Sequence, residues 1–309
     1  ITQARLSGGF ASYPEDVESP GDLLTAADLA LYKTKELRTA NITYYTQDLY
    51  EESSEWMAIS NLLRHQLNRG TLKFYFQQIV HAGDRSVWGH EMLLRLISED
   101  GKVYNTETVI QVAGQMGLMG IIVEKTIACA IDALQNTIHE GAVTINMSPE
   151  QIALLTPDQI AKLMAPVSST LRQRLVIELT EQSLLDSIDV LSPVTQLHKL
   201  GYRIALDDFG SGYSAMSCLS SFPLSIVKLD KSLTQDLLVK SNRELLSGIT
   251  YISEKMGFSV IAEGIETQEQ FEMVSDLGCD LAQGYFFGKP QDLNLDVTPG
   301  SAQSAVGDV

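Results

Sequence analysis

Acidic residues that could hold metal ions stand at the ends of strand-like segments. The stretch RIALDDFGSGYSAM (203–216) places Asp207 and Asp208 directly after apolar residues, and a glycine-rich turn follows. Two adjacent carboxylates repel each other, and each makes the other harder to ionise. Cations between them remove the repulsion, so the pair indicates a site for positive charge. Both side chains can reach one site only if the strand bends, and we expect Gly210 and Gly212 to allow the bend.

Other strand-like segments end in polar residues as well. These residues are Glu91, Asn146, Glu178, Glu181, Lys228, Asp230, Glu263, Glu266 and Gln283. Oxygen ligands without His or Cys suit Mg²⁺ or Mn²⁺ rather than zinc. The joint pattern therefore favours a metal-dependent reaction centre.

Each of these residues also has a purely structural alternative. A single acid at a strand end is more often the N-cap of the next helix than a metal ligand, and Glu181 could have that role. Lys228 could form a salt bridge with Asp230, and Gln283 could hydrogen-bond the backbone. A purely structural barrel, however, has no reason to place six or more acids on one rim.

Eight strand-like segments, most of them separated by amphipathic helical patterns, must position these residues. They cover residues 74–80, 90–96, 142–148, 175–181, 203–209, 225–231, 259–265 and 282–288. This alternation predicts an α/β fold, a (β/α)8 barrel, whose chemistry lies at the carboxyl ends of the strands. The connection at 81–89 is too short for a crossover helix, so the first two strands are predicted to be antiparallel.

Composition restricts the class of ligand and the compartment. The chain has 309 residues, 44% of them hydrophobic, and a net charge of −17. Duplex nucleic acid is excluded as a partner, because its phosphates are bound by Lys and Arg. A small anion can still bind if metal ions supply the positive charge. Three isolated cysteines indicate a reducing compartment, and no apolar run approaches the ~20 residues of a membrane span. We therefore expect a cytoplasmic location.

The chain divides into four predicted regions. Residues 1–45 form a small α+β unit, 46–57 a helical connection, 58–292 the barrel and 293–309 a disordered tail. The chain begins within a strand-like segment, so we expect it to be part of a longer protein.

Seven motifs in order, within residues 58–292, resemble the EAL-domain family of cyclic di-GMP phosphodiesterases. They are EMLLR (91–95), NMS (146–148), ELTE (178–181), DDFGSGYS (207–214), KLD (228–230), AEGIET (262–267) and QGYFFGKP (283–290). The resemblance implies a modified TIM barrel with an antiparallel first strand. It also implies metal-dependent hydrolysis of cyclic di-GMP to linear pGpG in bacterial signalling.

The resemblance assigns a role to each site residue. Two Mg²⁺ or Mn²⁺ ions are implied, with Ca²⁺ inhibitory; their ligands would be Glu91, Asn146, Glu178, Asp207, Asp208 and Glu263. Lys228 and Glu263 would act on the attacking water, and Glu181 would hold the glycine-rich loop. Substrate contacts would come from Gln77, Leu93, Arg95, Asp230, Glu266 and Gln283.

This chain departs from the family pattern at several positions. In FQQIV (76–80), Gln78 stands where the family has proline, and Met92 stands where alanine is commonest. Gln111 and Gly114 replace the proline and glutamate of a P-x-A-E segment. The metal-ligand positions are unchanged, which favours an enzyme over the alternatives, a non-catalytic cyclic di-GMP receptor or a protein-binding scaffold.

Residues 1–45 resemble the carboxyl end of a GGDEF (diguanylate cyclase) domain. The stretch SGGFASYPEDVESPGDLLTAADLALYKTKE carries this likeness, but its glycine pair precedes Phe10 rather than an acidic pair. The catalytic segment is absent from this chain, so no cyclase activity is expected. The resemblance implies a GGDEF–EAL tandem with sensory regions upstream, a homodimer, and a membrane anchor elsewhere in the full-length protein.

Overall fold

The structure, a computed structural model, describes most of the chain. The described residues are 7–36, 42–138, 140–148, 151–152, 167–181, 184, 191–210, 219–235, 237 and 239–293. They separate into two compact units. The first comprises residues 1–72 and 96–116, and the second comprises residues 73–95 and 117–309. The predicted tail at 293–309 lies outside the described residues, apart from residue 293.

The described part of the first unit contains a two-stranded parallel sheet, a short 3-10 helix (Pro20–Asp22) and three α-helices. Its elements are β1 (Gly8–Phe10), α1 (Leu23–Glu36), β2 (Ile42–Tyr44), α2 (Gln47–Arg69) and α3 (Thr106–Gln115). Ala26 and Ala30 of α1 pack with Tyr45 and Leu49 in a small core. Gly9 allows α1 to lie against β1, because a Cβ there would come within 2.1 Å of the Ala27 carbonyl oxygen.

Helix α2 starts and stops where the sequence provides capping groups. The Thr46 hydroxyl accepts a hydrogen bond from the Leu49 N–H, and Gly70 ends the helix at φ 69°. This side-chain cap and this left-handed glycine satisfy terminal backbone groups that the helix itself leaves open. The predicted boundary between residues 57 and 58 falls inside this continuous helix.

The second unit is a closed barrel of eight strands. They are β3 (Lys73–His81), β4 (Val87–Arg95), β5 (Ala142–Asn146), β6 (Leu175–Thr180), β7 (Arg203–Phe209), β8 (Ile226–Leu229), β9 (Ser259–Ala262) and β10 (Leu281–Gln283). The strand order is β10-β3-β4-β5-β6-β7-β8-β9, and β3 is antiparallel to both of its neighbours. The predicted barrel and its antiparallel first strand are confirmed.

Helices connect most of the barrel strands. The described ones are α4 (Met119–Asp132), α5 (Ser169–Arg172), α6 (Leu191–Lys199), α7 (Lys231–Gln235), α8 (Lys240–Met256) and α9 (Gln268–Asp276). All eight strands contribute to one apolar layer inside the barrel. It consists of Ile79, Ala142, Val176, Ala205, Ile226, Ile261 and Leu281, with Trp88 of β4 packed against them. Such a layer makes the barrel a filled core and leaves one end free for polar side chains.

The last strand is shorter than the sequence pattern predicts. β10 ends at Gln283, where the pattern continues to residue 288. Gly284 lies so close to the chain beneath it that a Cβ would come within 2.0 Å of the Ile265 carbonyl oxygen. The backbone turns after this residue, where the Phe287 N–H donates to the Gly284 carbonyl oxygen over 3.1 Å. Among the described residues, we find no helix with the length and apolarity needed to cross a membrane.

Candidate active site

The two adjacent aspartates sit at an irregularity in β7. The pairing of β7 with β8 shifts between Leu206 and Phe209, and Asp208 adopts a left-handed backbone with φ 55°. A non-glycine residue in that region is strained by roughly 1–3 kcal/mol, and such strain concentrates at functional sites. The bend thus lies within the acidic pair, not only in the glycines that follow. Gly210 also has a positive φ of 97°, and Gly212 lies outside the described residues.

Lys228 of β8 is buried among four carboxylates. Its Nζ lies 2.8 Å from an oxygen of Glu178, 2.8 Å from Glu263, 3.1 Å from Asp207 and 3.8 Å from Glu91. The lysine side chain is 1% exposed. The alternative pairing of Lys228 with Asp230 is not among the ion pairs of the described residues. Four strands, and the residue directly after a fifth, therefore bring Lys228 and four carboxyl groups together at the same end of the barrel.

Two amides, from the exposed Asn146 and the buried Gln283, extend this network. The side-chain amide of Asn146 donates to Glu91 Oε1 over 2.7 Å, and that of Gln283 donates to Glu91 Oε2 over 2.6 Å. Gln283 Nε2 also lies 3.1 Å from Gln77 Oε1. Both carboxylate oxygens of Glu91 are thus fixed in place.

The acids form two groups that could each hold a cation. Glu91, Glu178 and Asp207 offer oxygens within 4.8 Å of one another, and so do Asp207, Asp208 and Glu263. Asp207 belongs to both groups. Glu178 Oε1 is buried without a hydrogen-bond partner, which is costly for a carboxylate oxygen unless a cation binds it. This orphaned oxygen and the all-oxygen donor set fit a divalent metal.

The proton affinities of these groups follow from their burial and crowding. Burial raises the pKa of Glu178 well above its usual value; Lys228 opposes this rise, and Glu91 and Asp207 add to it. Burial likewise raises the pKa of Glu263 to about 8. Burial alone would lower the pKa of Lys228, but the surrounding carboxylates outweigh it and raise that pKa well above the usual value. Lys228 therefore remains an ammonium at neutral pH.

Asp208 shares the same crowding at a less buried position. Burial raises the pKa of its carboxyl, and the charges of Asp207 and Asp230 raise it further. A bound cation would reverse this effect, because it favours the ionised carboxylate.

Other predicted site residues have local contacts of their own. Glu181 is buried, and one of its oxygens lies 3.4 Å from the N–H of Gly210. Asp230 accepts from the N–H of Ser232 at the start of α7, and the N–H of Glu266 donates to Gln270. Capping is thus one observed role of Asp230.

Leu93 and Arg95 lie near the end of β4 and are partly exposed. Arg95 Nη1 donates to the Leu94 carbonyl oxygen over 2.9 Å. Leu93 and Arg95 follow Glu91 at two-residue spacing, so the three side chains lie on one face of β4.

The sequence analysis assigned no role to Gln78, but the structure gives its side chain a long-range hydrogen bond. The Gln78 side chain donates to the Phe287 carbonyl oxygen over 3.2 Å. The sequence marks Gln78 as a departure from proline, but it holds no sign of this partner 209 residues away.

Known proteins place this barrel in a family. A model of the EAL domain matches residues 60–290 of the chain. The chain belongs to the EAL domain family. Among its relatives, the cyclic di-GMP phosphodiesterase NbdA of Pseudomonas aeruginosa is 28% identical over 93% of this chain and 37% of its own length. The first curated relatives that this EAL chain matches are much longer, and the chain spans 36–41% of their length.

Solved EAL structures share the fold. The PaMucR phosphodiesterase in complex with c-di-GMP matches with a TM-score of 0.66 and 26% identity, over 76% of this chain and 98% of that one. The manganese and cyclic di-GMP complex of Klebsiella pneumoniae BlrP1 matches with a TM-score of 0.63 and 26% identity, over 72% of this chain and 56% of that one.

Proposed function

We propose that this EAL chain hydrolyses cyclic di-GMP to linear pGpG in a metal-dependent reaction of bacterial second-messenger signalling. The observation that carries the proposal is the pair of acidic groups that share Asp207 and surround Lys228. Two relatives support the choice of substrate, because NbdA is a cyclic di-GMP phosphodiesterase and PaMucR was solved with c-di-GMP.

The proposed cofactors are two Mg²⁺ or Mn²⁺ ions, with Ca²⁺ as an inhibitor. Glu91, Glu178 and Asp207, with Asn146 beside them, would hold one ion, and Asp207, Asp208 and Glu263 the other. Divalent ions held this way supply a water molecule that ionises near neutral pH. The manganese complex of BlrP1 supports the choice of metal.

The proposed mechanism gives Lys228 an electrostatic role. In the metal-free protein the carboxyl neighbours hold the pKa of Lys228 well above its usual value, and the proposed role of Lys228 is that of a hydrogen-bond donor. An ammonium at this place stabilises negative charge that develops on the attacked phosphate and orients the attacking oxygen. Glu181, through Gly210, would keep the segment after Asp208 in place.

The proposed substrate contacts lie around this cluster. Arg95 offers a planar fork of donors suited to a phosphate oxygen pair. Leu93 offers an apolar surface to a guanine, while Asp230, Glu266, Gln77 and Gln283 supply polar contacts. The buried contacts of Gln77 and Gln283 with each other support an indirect role, in which they fix the wall of the site.

The two residues of α3 that differ from the family pattern, Gln111 and Gly114, are not among the proposed metal ligands. Gln111 and Gly114 are both exposed, and a Cβ at Gly114 would meet nothing within 4 Å. The proposed metal ligands all lie in the other unit. The EAL barrel is proposed to span residues 58–292, with the remnant of a GGDEF domain at 1–45. A homodimer, upstream GGDEF and sensory regions and a cytoplasmic location stay predictions from the sequence.

The test is incubation with cyclic di-GMP and Mg²⁺ or Mn²⁺, followed by separation of the nucleotides. We expect pGpG to accumulate, and a chelator to abolish the reaction. Binding of cyclic di-GMP without conversion would instead identify a non-catalytic receptor. Cyclic di-GMP formation from GTP would contradict the proposed boundary at residue 45.

A further inference from the structure

The segment that follows β10 is held against β3 in an unusual way. Gln283 pairs with Ile79, and Gln291 pairs with Phe76. The chain thus advances eight residues between two points that are three residues apart on β3. The intervening residues, 284–290, form a loop that is not paired with β3 as a strand. We call it the β10 loop.

Two adjacent glutamines grip the middle of the β10 loop. Gln77 Nε2 donates to the Gly288 carbonyl oxygen over 3.0 Å, and Gln78 Nε2 donates to the Phe287 carbonyl oxygen over 3.2 Å. Neighbouring residues of a strand point to opposite faces. The two amides therefore approach consecutive carbonyl groups from the two sides of β3, which restrains the loop against movement toward either face.

These hydrogen bonds continue from Gln77 into the proposed metal site. Gln77 Oε1 accepts from Gln283 Nε2, and Gln283 donates in turn to Glu91 Oε2. Gln77, Gln283 and Glu91 are all buried. Gln283 precedes the β10 loop directly, so a loose loop would also loosen the residue that fixes Glu91.

We propose that Gln78 is a positioning residue, whose side-chain amide clamps the β10 loop and thereby holds Gln283 against Glu91. A proline at position 78, as in the family motif that this strand resembles, offers no donor for the Phe287 carbonyl. This chain therefore restrains the loop by a hydrogen bond. The effect on turnover rests on the proposed function, whereas the effect on the loop does not.

The first measurement is amide hydrogen exchange in peptides covering residues 284–291. The variants are Gln78→Met, which keeps the side-chain length without the donor, and Gln78→Ala. Gln291→Met is the matched control, because that side chain is exposed. We expect exchange in the β10 loop to be about fivefold faster in both Gln78 variants, since losing one hydrogen bond worth ~1 kcal/mol favours the opened state by that factor. Exchange in β6 is expected to be unchanged.

This measurement alone tests whether the Gln78 amide restrains the β10 loop. If Gln78→Met exchanges like the wild type, the amide is not the restraint and the proposal is overturned, whatever the alanine variant does. Equal acceleration in Gln291→Met would overturn it too, because the effect would then not belong to Gln78.

The second measurement is turnover of cyclic di-GMP as a function of Mg²⁺ concentration. In Gln78→Met we expect half-maximal activity to require several-fold more Mg²⁺, with the KM for cyclic di-GMP within twofold of the wild type. A raised KM with unchanged Mg²⁺ demand would overturn the link to Glu91. Absence of turnover in the wild type would instead refute the proposed function, while the exchange result would still stand.

Discussion

Lys228 Nζ lies 2.8 Å from Glu263 Oε1, and both groups are held at the carboxyl ends of neighbouring strands. The lysine is the buried positive charge in a cluster of four carboxylates, so removing it changes the electrostatics of the whole cluster. Its conversion to Met tests the proposed reaction most directly.

The variant Lys228→Met should separate hydrolysis from binding. We expect turnover to fall by roughly 10²–10⁴-fold, the usual range for a group that acts on the transferred proton or the developing charge. Affinity for cyclic di-GMP in the presence of Ca²⁺, measured by calorimetry, is expected to change by less than about threefold, since the proposed phosphate contact is Arg95. The exposed Lys255→Met is the matched control. Retained turnover would show that Lys228 has no part in the chemistry.

The same variant should also expose the repulsion among the carboxylates. Removing one partner from a buried ion pair typically costs 3–5 kcal/mol, so the metal-free variant is expected to be less stable by about that amount. Mg²⁺ should restore most of the loss, because it neutralises the same oxygens. Urea unfolding with and without chelator measures both values. Equal losses in the two conditions would argue against cation binding at this cluster.

Asp207 is shared by both acidic groups, so its neutralisation should affect both. Asp207→Asn is expected to lower turnover by roughly 100-fold or more, since even outer partners of metal ligands change activity by 10–100-fold. The control is Asp276→Asn, an exposed residue at the end of α9. Metal binding is read by isothermal calorimetry with Mn²⁺. Wild-type turnover and stoichiometry in Asp207→Asn would refute the shared site.

Glu263 should make the metal-free protein less stable as pH rises. Its pKa is raised from its ordinary 4.5 to about 8, so the folded protein holds a proton that the unfolded chain releases. This contribution to the free energy of unfolding is complete below pH ~4.5 and is lost as the pH rises through about 8. Glu263→Gln cannot release a proton and should flatten the slope over this window.

Urea unfolding in chelator at several pH values measures that slope. The exposed Glu254→Gln serves as the control, and its pH profile should match that of the wild type. A Glu263→Gln profile as steep as that of the wild type would assign the proton to another member of the cluster.

Gly114 should be replaceable with a gain in stability. It lies in the last turn of α3, and a Cβ would meet open space. Alanine in a helix is favoured over glycine by about 0.5–1 kcal/mol, so Gly114→Ala should raise the free energy of unfolding by roughly that amount. Thermal unfolding tests this, with turnover expected to be unchanged. A loss of stability would contradict this prediction, because it would show that position 114 requires glycine.

The sequence by itself determined the barrel, its antiparallel first strand and the set of acids at its rim. These follow from local signals, because apolar runs, helical patterns and the short connection at 81–89 each constrain neighbouring residues. Asp207 lies near the carboxyl end of β7 and Glu263 directly follows β9, whereas Glu91 lies in the middle of β4 and its motif block runs to the end of that strand.

Only the tertiary structure decided how those residues meet. The left-handed backbone of Asp208 depends on the shifted pairing of β7 with β8, which no local pattern encodes. The contacts of Lys228 with its four carboxyl neighbours and the contact of Gln78 with Phe287 join residues 21 to 209 positions apart. Contacts at such separations depend on how the strands close into a barrel, because closure sets which side chains share the interior.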